Sequence, residues 1–155
     1  MDSLLASLAA LGIKFDRYDH PPVTTVDEAM KYLMHLPGTK IKNLILQDKT
    51  GKLYLIMAKI DTKVNINELG RKLGAPGLKK ADSTVFDYLK IMPGSVCPFA
   101  MINDTESKFV VCMDPAVADD ELLMFHPMQN DASIVLSLND LTKYMTSIGH
   151  SMQKF

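Results

Sequence analysis

Lys42 and Asn43 stand side by side, and a cation next to an amide can aim donors at an oxyanion as it develops. A lysine at a strand start can equally be a solvated surface charge. His126, just before Pro127, carries an imidazole with an ordinary pKa of ~6.5, so it could hold a substrate group or shuttle a proton. A satisfied turn histidine is the plain alternative. In Gly94–Phe99 the glycine permits close backbone approach and Pro98 leaves neighbouring carbonyls free of a ladder, which suits a pocket loop or an ordinary turn into a strand. Cys97 invites a nucleophile, yet a lone cysteine in an apolar run reads first as a small core residue.

Other chemistries find no footing. The histidines at 20, 35, 126 and 150 have no metal-ligand spacing among themselves or with Cys97 and Cys112, so no metal is expected. Dinucleotide, P-loop and Ser-hydrolase signatures are absent, and no cofactor is expected. Two distant cysteines make neither a CxxC motif nor a disulfide framework.

Around these residues the patterning places elements. Leu4, Leu5, Leu8 and Leu11 mark a helix over 3–11 stopped by Gly12. A strand over 15–19 is broken by His20-Pro21-Pro22. Thr25 with Glu28 reads as a capping box opening a helix to about Leu36, with Met30, Leu33 and Met34 inward. Lys42–Gln47 and Lys52–Ala58 flank a four-residue turn with Gly51, a β-hairpin. Asn65 caps a helix ended by Gly74, and a short helix covers 83–89. Strands are predicted at 95–99, 109–113, 122–125 and 133–136. Ser137 and Asp140 open the last helix, whose Leu141, Tyr144, Met145 and Ile148 form its buried stripe.

This order predicts one α+β domain over 1–155, a curved, barrel-like mixed sheet flanked by helices. With 47% apolar and 23% charged residues the chain is of the globular class. The N-terminus lacks the charge pattern of an export signal, and no apolar run reaches the ~18 residues of a membrane span. A soluble, cytoplasmic protein is expected, with no membrane partner. Net charge is −1, but residues 31–90 hold twelve Lys/Arg against five Asp/Glu, and residues 91–155 three against eight. A basic face is therefore available to an anionic partner, or is simply a solvated surface.

Five segments together resemble one family: HPPVTTVDEA at 20–29, PGTKIKNLILQDKTGKLYLI at 37–56, LGAPGLKKA at 73–81, PGSVCPF at 93–99 and FHPMQNDAS at 125–133. Their order and spacing are similar to those of the YbaK/ProX-type aminoacyl-tRNA editing domains, over nearly the whole chain. Lys42-Asn43, and His126-Pro127 ahead of Asn130 and Ala132, most resemble the freestanding Ala-tRNA(Pro) deacylases. The chain departs from the family pattern at Leu78-Lys79-Lys80, at Ala100 and at Cys97.

The resemblance implies the editing-domain fold and an ester hydrolase that removes a wrong amino acid from tRNA in trans. It implies catalytic roles for Lys42, Asn43 and His126, with His126 positioning groups while the tRNA's own ribose hydroxyl assists. A substrate pocket would draw on Gly94, Ser95, Val96, Cys97, Pro98 and Phe99, with Asn130, His20 and Thr24. Lys40, Lys79 and Lys80 would contact the acceptor stem of tRNA(Pro). The resemblance further implies prolyl-tRNA synthetase or a multi-synthetase complex as a partner. Because a synthetase rejects a smaller amino acid by only ~1–3 kcal/mol per methylene, a second, smaller pocket adds the missing discrimination. Two alternatives share the fold: a deacylase for Cys- or Ser-tRNA, and a non-catalytic module that binds tRNA or docks on a synthetase.

Overall fold

A nine-residue strand, β2 (Thr39–Gln47), organises the molecule because it pairs with three others. Its first residues pair in parallel with β6 (Leu122–Phe125), Thr39 opposite Leu123 and Lys40 opposite Met124. From Ile41 onward it pairs antiparallel with β3 (Leu53–Lys59), Lys42 lying opposite Ala58 and Asn43 opposite Met57. Its far end takes β4 (Lys79–Lys80) on the opposite edge from β3. With β1 (Asp16–Asp19), β5 (Phe109–Met113), β7 (Ala132–Ser137) and β8 (Met152–Lys154) the sheet runs β1-β7-β6-β2-β3-β5-β8, open between its end strands. The computed structural model describes the backbone of residues 1–155 and every side chain except that of residue 26.

Alternation along β2 and β3 feeds two cores. Ile45, Leu53, Leu55 and Met57 face the larger one, covered by α1 (Asp2–Ala10), α4 (Thr84–Leu89) and α5 (Leu138–Ser147). Leu46, Tyr54 and Ile56 face the smaller one under α3 (Ile66–Leu73). The caps expected at Thr25, Asn65 and Ser137 each accept the backbone N–H three residues on. Asp48 closes the hairpin by accepting from Thr50 N–H (2.9 Å) and Lys52 N–H (3.1 Å), and Gly51 takes the positive φ of 93° that the turn requires.

Three expectations are corrected. Residues 95–99 are not a strand: Pro93–Ser95 and Pro98–Asn103 form two 3₁₀ turns, because each proline lacks the N–H that a ladder needs. The helix opened by Thr25, α2 (Val26–Leu33), ends three residues earlier than expected. Its inward stripe keeps the expected Leu33 but not Met30 and Met34. Ala29, Tyr32, Leu33 and Leu36 pack on Met124 and Val135, whereas Met30 and Met34 remain 43% and 47% exposed. Finally, β4 and β8 were not anticipated, since two or three residues are too short to show a period of two.

Where the neighbouring strands β3 and β5 end lies a polar network. The carboxylate of Asp114, 2% exposed, accepts from Lys59 N–H (3.1 Å), the Thr62 hydroxyl (2.8 Å) and Ala116 N–H (2.9 Å). Burial alone would raise its pKa, but these donors outweigh burial and hold the carboxyl below its ordinary value. Asp114→Ala strands those buried donors and should cost about 2–3 kcal/mol in a urea titration at neutral pH. The sign of the pKa shift places this contribution above the unfolded carboxyl pKa of about 3.9, so the gap from wild type should close as pH falls below that.

Candidate functional site

Where β2 leaves β6 and has not yet met β4, one of its edges has no strand beside it. Pairing with β6 stops at Lys40 and pairing with β4 begins at Leu46, an interval of roughly 20 Å at about 3.4 Å per residue. The hydrogen bonds fix which main-chain groups face this interval. Ile60 donates to the carbonyl of Lys40, so Lys40, Lys42 and Leu44 turn their main-chain groups toward β3. Ile41, Asn43 and Ile45 turn theirs the other way, and Ala81 accordingly donates to the carbonyl of Ile45. Asn43 thus directs its N–H into the open interval.

Two adjoining pockets occupy this place, both bordered by Ala29, Ile41, Ile60 and His126. The inner one, about 70 Å³, adds Asn43, Lys40 and Ser133 among apolar walls from Met30, Leu33, Met34 and Phe125. The outer one, about 420 Å³, adds Lys42, Thr24, Thr25, Val23 and Gly94. Lys42 and Asn43 reach different pockets because neighbouring residues on a strand face opposite ways. The Lys42 ammonium donates to the carbonyl of Thr62, the residue tied to Asp114. Asn43 Oδ1 is buried and makes no hydrogen bond.

His126 leaves the end of β6 and half-buries its ring over the pockets. Its Nδ1 lies 3.2 Å from the carbonyl of Ala132. A carbonyl only accepts, so Nδ1 carries the proton in the neutral ring and Nε2 is a free acceptor. Burial, and then the neighbouring His20, lower the pKa of His126, while the bond to Ala132 opposes them. Lys40 donates to the carbonyls of Leu36 and Gly38, the latter at 2.9 Å. Burial lowers its pKa.

Other anticipated residues are placed differently. Of the 94–99 stretch, Gly94 alone borders either of these two pockets, and a Cβ there would make only an ordinary contact with the carbonyl of Val23. Ser95, Cys97, Pro98 and Phe99 are buried, and Val96 packs against the large core, so this stretch supports the site from behind. Burial pushes the Cys97 thiol up to about 11, which leaves almost no thiolate for a nucleophile. Asn130 bonds its carbonyl to Val23 N–H, fixing the loop ahead of Thr24. His20 stands behind His126, ring centroids 5.9 Å apart. Lys79 and Lys80 are exposed on β4, at the far end of the open interval. Among the described residues no three His, Cys, Asp or Glu side chains converge as metal ligands.

Sequence reasoning missed Ser133, Ile60, Met30 and Met34. Ile60 and the methionines carry no polar signal. Ser133 sits in an apolar strand and becomes notable only through its neighbours. Because the buried Asn43 Oδ1 has no donor, Asn43→Leu should leave the fold equally stable or raise its stability by about 1 kcal/mol in a thermal melt, whereas most buried polar-to-apolar changes break a hydrogen bond and destabilise.

Comparison with known proteins gives the family. The aminoacyl-tRNA editing domain profile matches residues 20–144. The chain is 35% identical over 148 residues to mouse prolyl-tRNA synthetase associated domain-containing protein 1, covering 92% of this chain and 88% of that protein. It is 31% identical over 153 residues to the prolyl-tRNA editing protein ProX of Acetoanaerobium sticklandii, covering 97% and 93%. A solved structure of a candidate trans-editing enzyme for prolyl tRNA synthetase shares the fold at a TM-score of 0.70 and 17% identity, over 97% of this chain and 92% of that one. The profile match and the two relatives place this chain in the aminoacyl-tRNA editing domain family.

Proposed function

We propose that the protein is a trans-acting aminoacyl-tRNA deacylase, with alanine esterified to tRNA(Pro) as its preferred substrate. The observation that carries this reading is the open edge of β2, where the Asn43 N–H, Lys42 and His126 face one pair of pockets. Hydrolysis of the ester adds the oxygen of water to the acyl carbon and breaks its bond to the ribose oxygen, which leaves with a proton. Charge develops on the carbonyl oxygen, where preorganised donors have most effect. The Asn43 N–H and the Lys42 ammonium take that role, and the Nε2 of His126 accepts from the water, the ribose hydroxyl or the substrate amine.

Substrate size follows from the walls. The inner pocket is narrow and mostly apolar, bordered by Met30, Leu33, Met34 and Phe125. A side chain as small as alanine enters at little cost, and each further methylene costs ~1–3 kcal/mol of discrimination. The filter therefore lies with α2 and β6 rather than with Val96. Lys79 and Lys80, further along the same edge of β2, would meet phosphates of the acceptor stem, and Lys40 acts locally by holding the carbonyls that end α2. Docking on prolyl-tRNA synthetase is compatible with this reading but has no separate support in the fold.

The direct test is deacylation of a panel of mischarged tRNAs carrying Ala, Cys, Ser and Pro. Hydrolysis of Ala-tRNA(Pro) above the others is expected, and equal inertness toward all would support the non-catalytic alternative instead. Lys42→Ala should lower the rate by at least ~10²-fold, the scale of one lost transition-state donor, with circular dichroism unchanged. The pH dependence has a definite sign. Since the proton binds His126 less readily than an ordinary imidazole, its acceptor Nε2 persists at lower pH, and the rate should hold through about 6.5 and fall only below it.

A further inference from the structure

Behind His126 lies a hydrogen-bonded chain that the reaction scheme leaves unused. His20 Nδ1 is 2.9 Å from the carbonyl of Pro21. Because that carbonyl can only accept, Nδ1 carries the proton and Nε2 of the neutral ring must accept. The group it meets, at 2.8 Å, is the hydroxyl of Ser133, a side chain with no solvent exposure. The single hydroxyl proton of Ser133 is therefore committed to His20. What Ser133 then offers His126, whose Nδ1 lies 3.5 Å from Oγ, is a lone pair.

We propose that His20 and Ser133 are positioning residues which hold His126 as its Nδ1–H tautomer and so keep the Nε2 lone pair facing the pockets. The Ala132 carbonyl favours this tautomer on its own. The weak point is Ser133, which borders the inner pocket beside His126. A hydroxyl free to rotate can donate to Nδ1, and in doing so it stabilises the opposite tautomer, with the proton on Nε2. His126 would then present a donor where the reaction needs an acceptor. His20 prevents this by engaging the hydroxyl proton. Its imidazole is itself held by Pro21, two residues past the end of β1. The His-Pro-Pro sequence thus both terminates a strand and sets the protonation pattern two strands away.

The role assigned to Nε2 rests on the deacylase reading, but the tautomer itself does not, and the two are separable by experiment. Long-range ¹H–¹⁵N correlation spectra of the substrate-free protein should show both His20 and His126 as Nδ1–H tautomers. In His20→Leu the freed Ser133 hydroxyl should move His126 substantially toward Nε2–H. His20→Gln, which restores an amide oxygen as acceptor, should keep the wild-type pattern. In the double variant His20→Leu/Ser133→Ala, His126 should return to Nδ1–H, because the competing hydroxyl is gone. For deacylation of Ala-tRNA(Pro), kcat should fall about tenfold in His20→Leu with KM unchanged, and recover in His20→Gln. A wild-type His126 protonated on Nε2 overturns the proposal, and needs no variant to fold. A folded His20→Leu protein whose His126 tautomer is unchanged overturns it too. Tautomers that behave as stated in a protein inactive on every aminoacyl-tRNA would uphold the positioning chain and count against the deacylase reading alone.

Discussion

Main-chain pairing along β2 is the constraint on which the site depends. A strand has two edges, and every N–H and C=O along them seeks a partner. One edge of β2 is satisfied by β3 from Ile41 onward, whereas the other is shared between β6 at one end and β4 at the other. The interval between them cannot close, because β6 continues into the His126-Pro127 turn and Pro127 has no N–H to extend the ladder. An unpaired main-chain donor is costly in a core and useful in a pocket, where a ligand supplies the acceptor. The placement of Asn43 follows from this pairing rather than from any property of its side chain.

Holding the open edge in place falls to the polar network at the ends of the same strands. Thr39 donates to Glu121 at 2.6 Å, and Lys59 approaches the same carboxylate at 3.3 Å. Asp114 ties the end of β3 to Thr62, whose carbonyl receives Lys42. The Lys59–Glu121 pair is partly exposed and contributes little as a pair of charges. The hydrogen bonds to main-chain groups matter more, since they fix where β2 and β3 end and therefore which lysine meets which carbonyl. His126 is treated in the same way from the other side, through Ala132 and Ser133. Both candidate catalytic side chains, Lys42 and His126, are thus oriented by backbone carbonyls.

Local chemistry made much of this protein legible before its tertiary structure was known. Capping residues, the Gly51 turn and the alternation in the hairpin state their own geometry, because each satisfies or strains groups within a few residues, and those elements lie where expected. The five family-like segments pointed to the editing-domain fold, and the profile match over 20–144 shows that family. On α2, Leu33 turns inward as expected but Met30 and Met34 do not, because a short helix can offer either Met30 and Met34 or Ala29 and Tyr32 as companions to Leu33, and only the strands beneath choose between them. The stretch 94–99 was misread for a related reason. Its apolar residues suit a strand or a buried turn equally, and Pro93 and Pro98 tip the balance once the core has to be filled.

By itself, the sequence determined the elements, their order and the residue types available for chemistry, since these depend on short-range sterics, capping and periodicity. Only the tertiary structure decided that Lys42 and Asn43 serve adjoining pockets, that Met30 and Met34 rather than Val96 wall the inner one, and that His20 reaches His126 through Ser133. Those relations join residues up to 113 positions apart. They arise from strand pairings and from the direction in which each carbonyl points, neither of which leaves a mark on local composition.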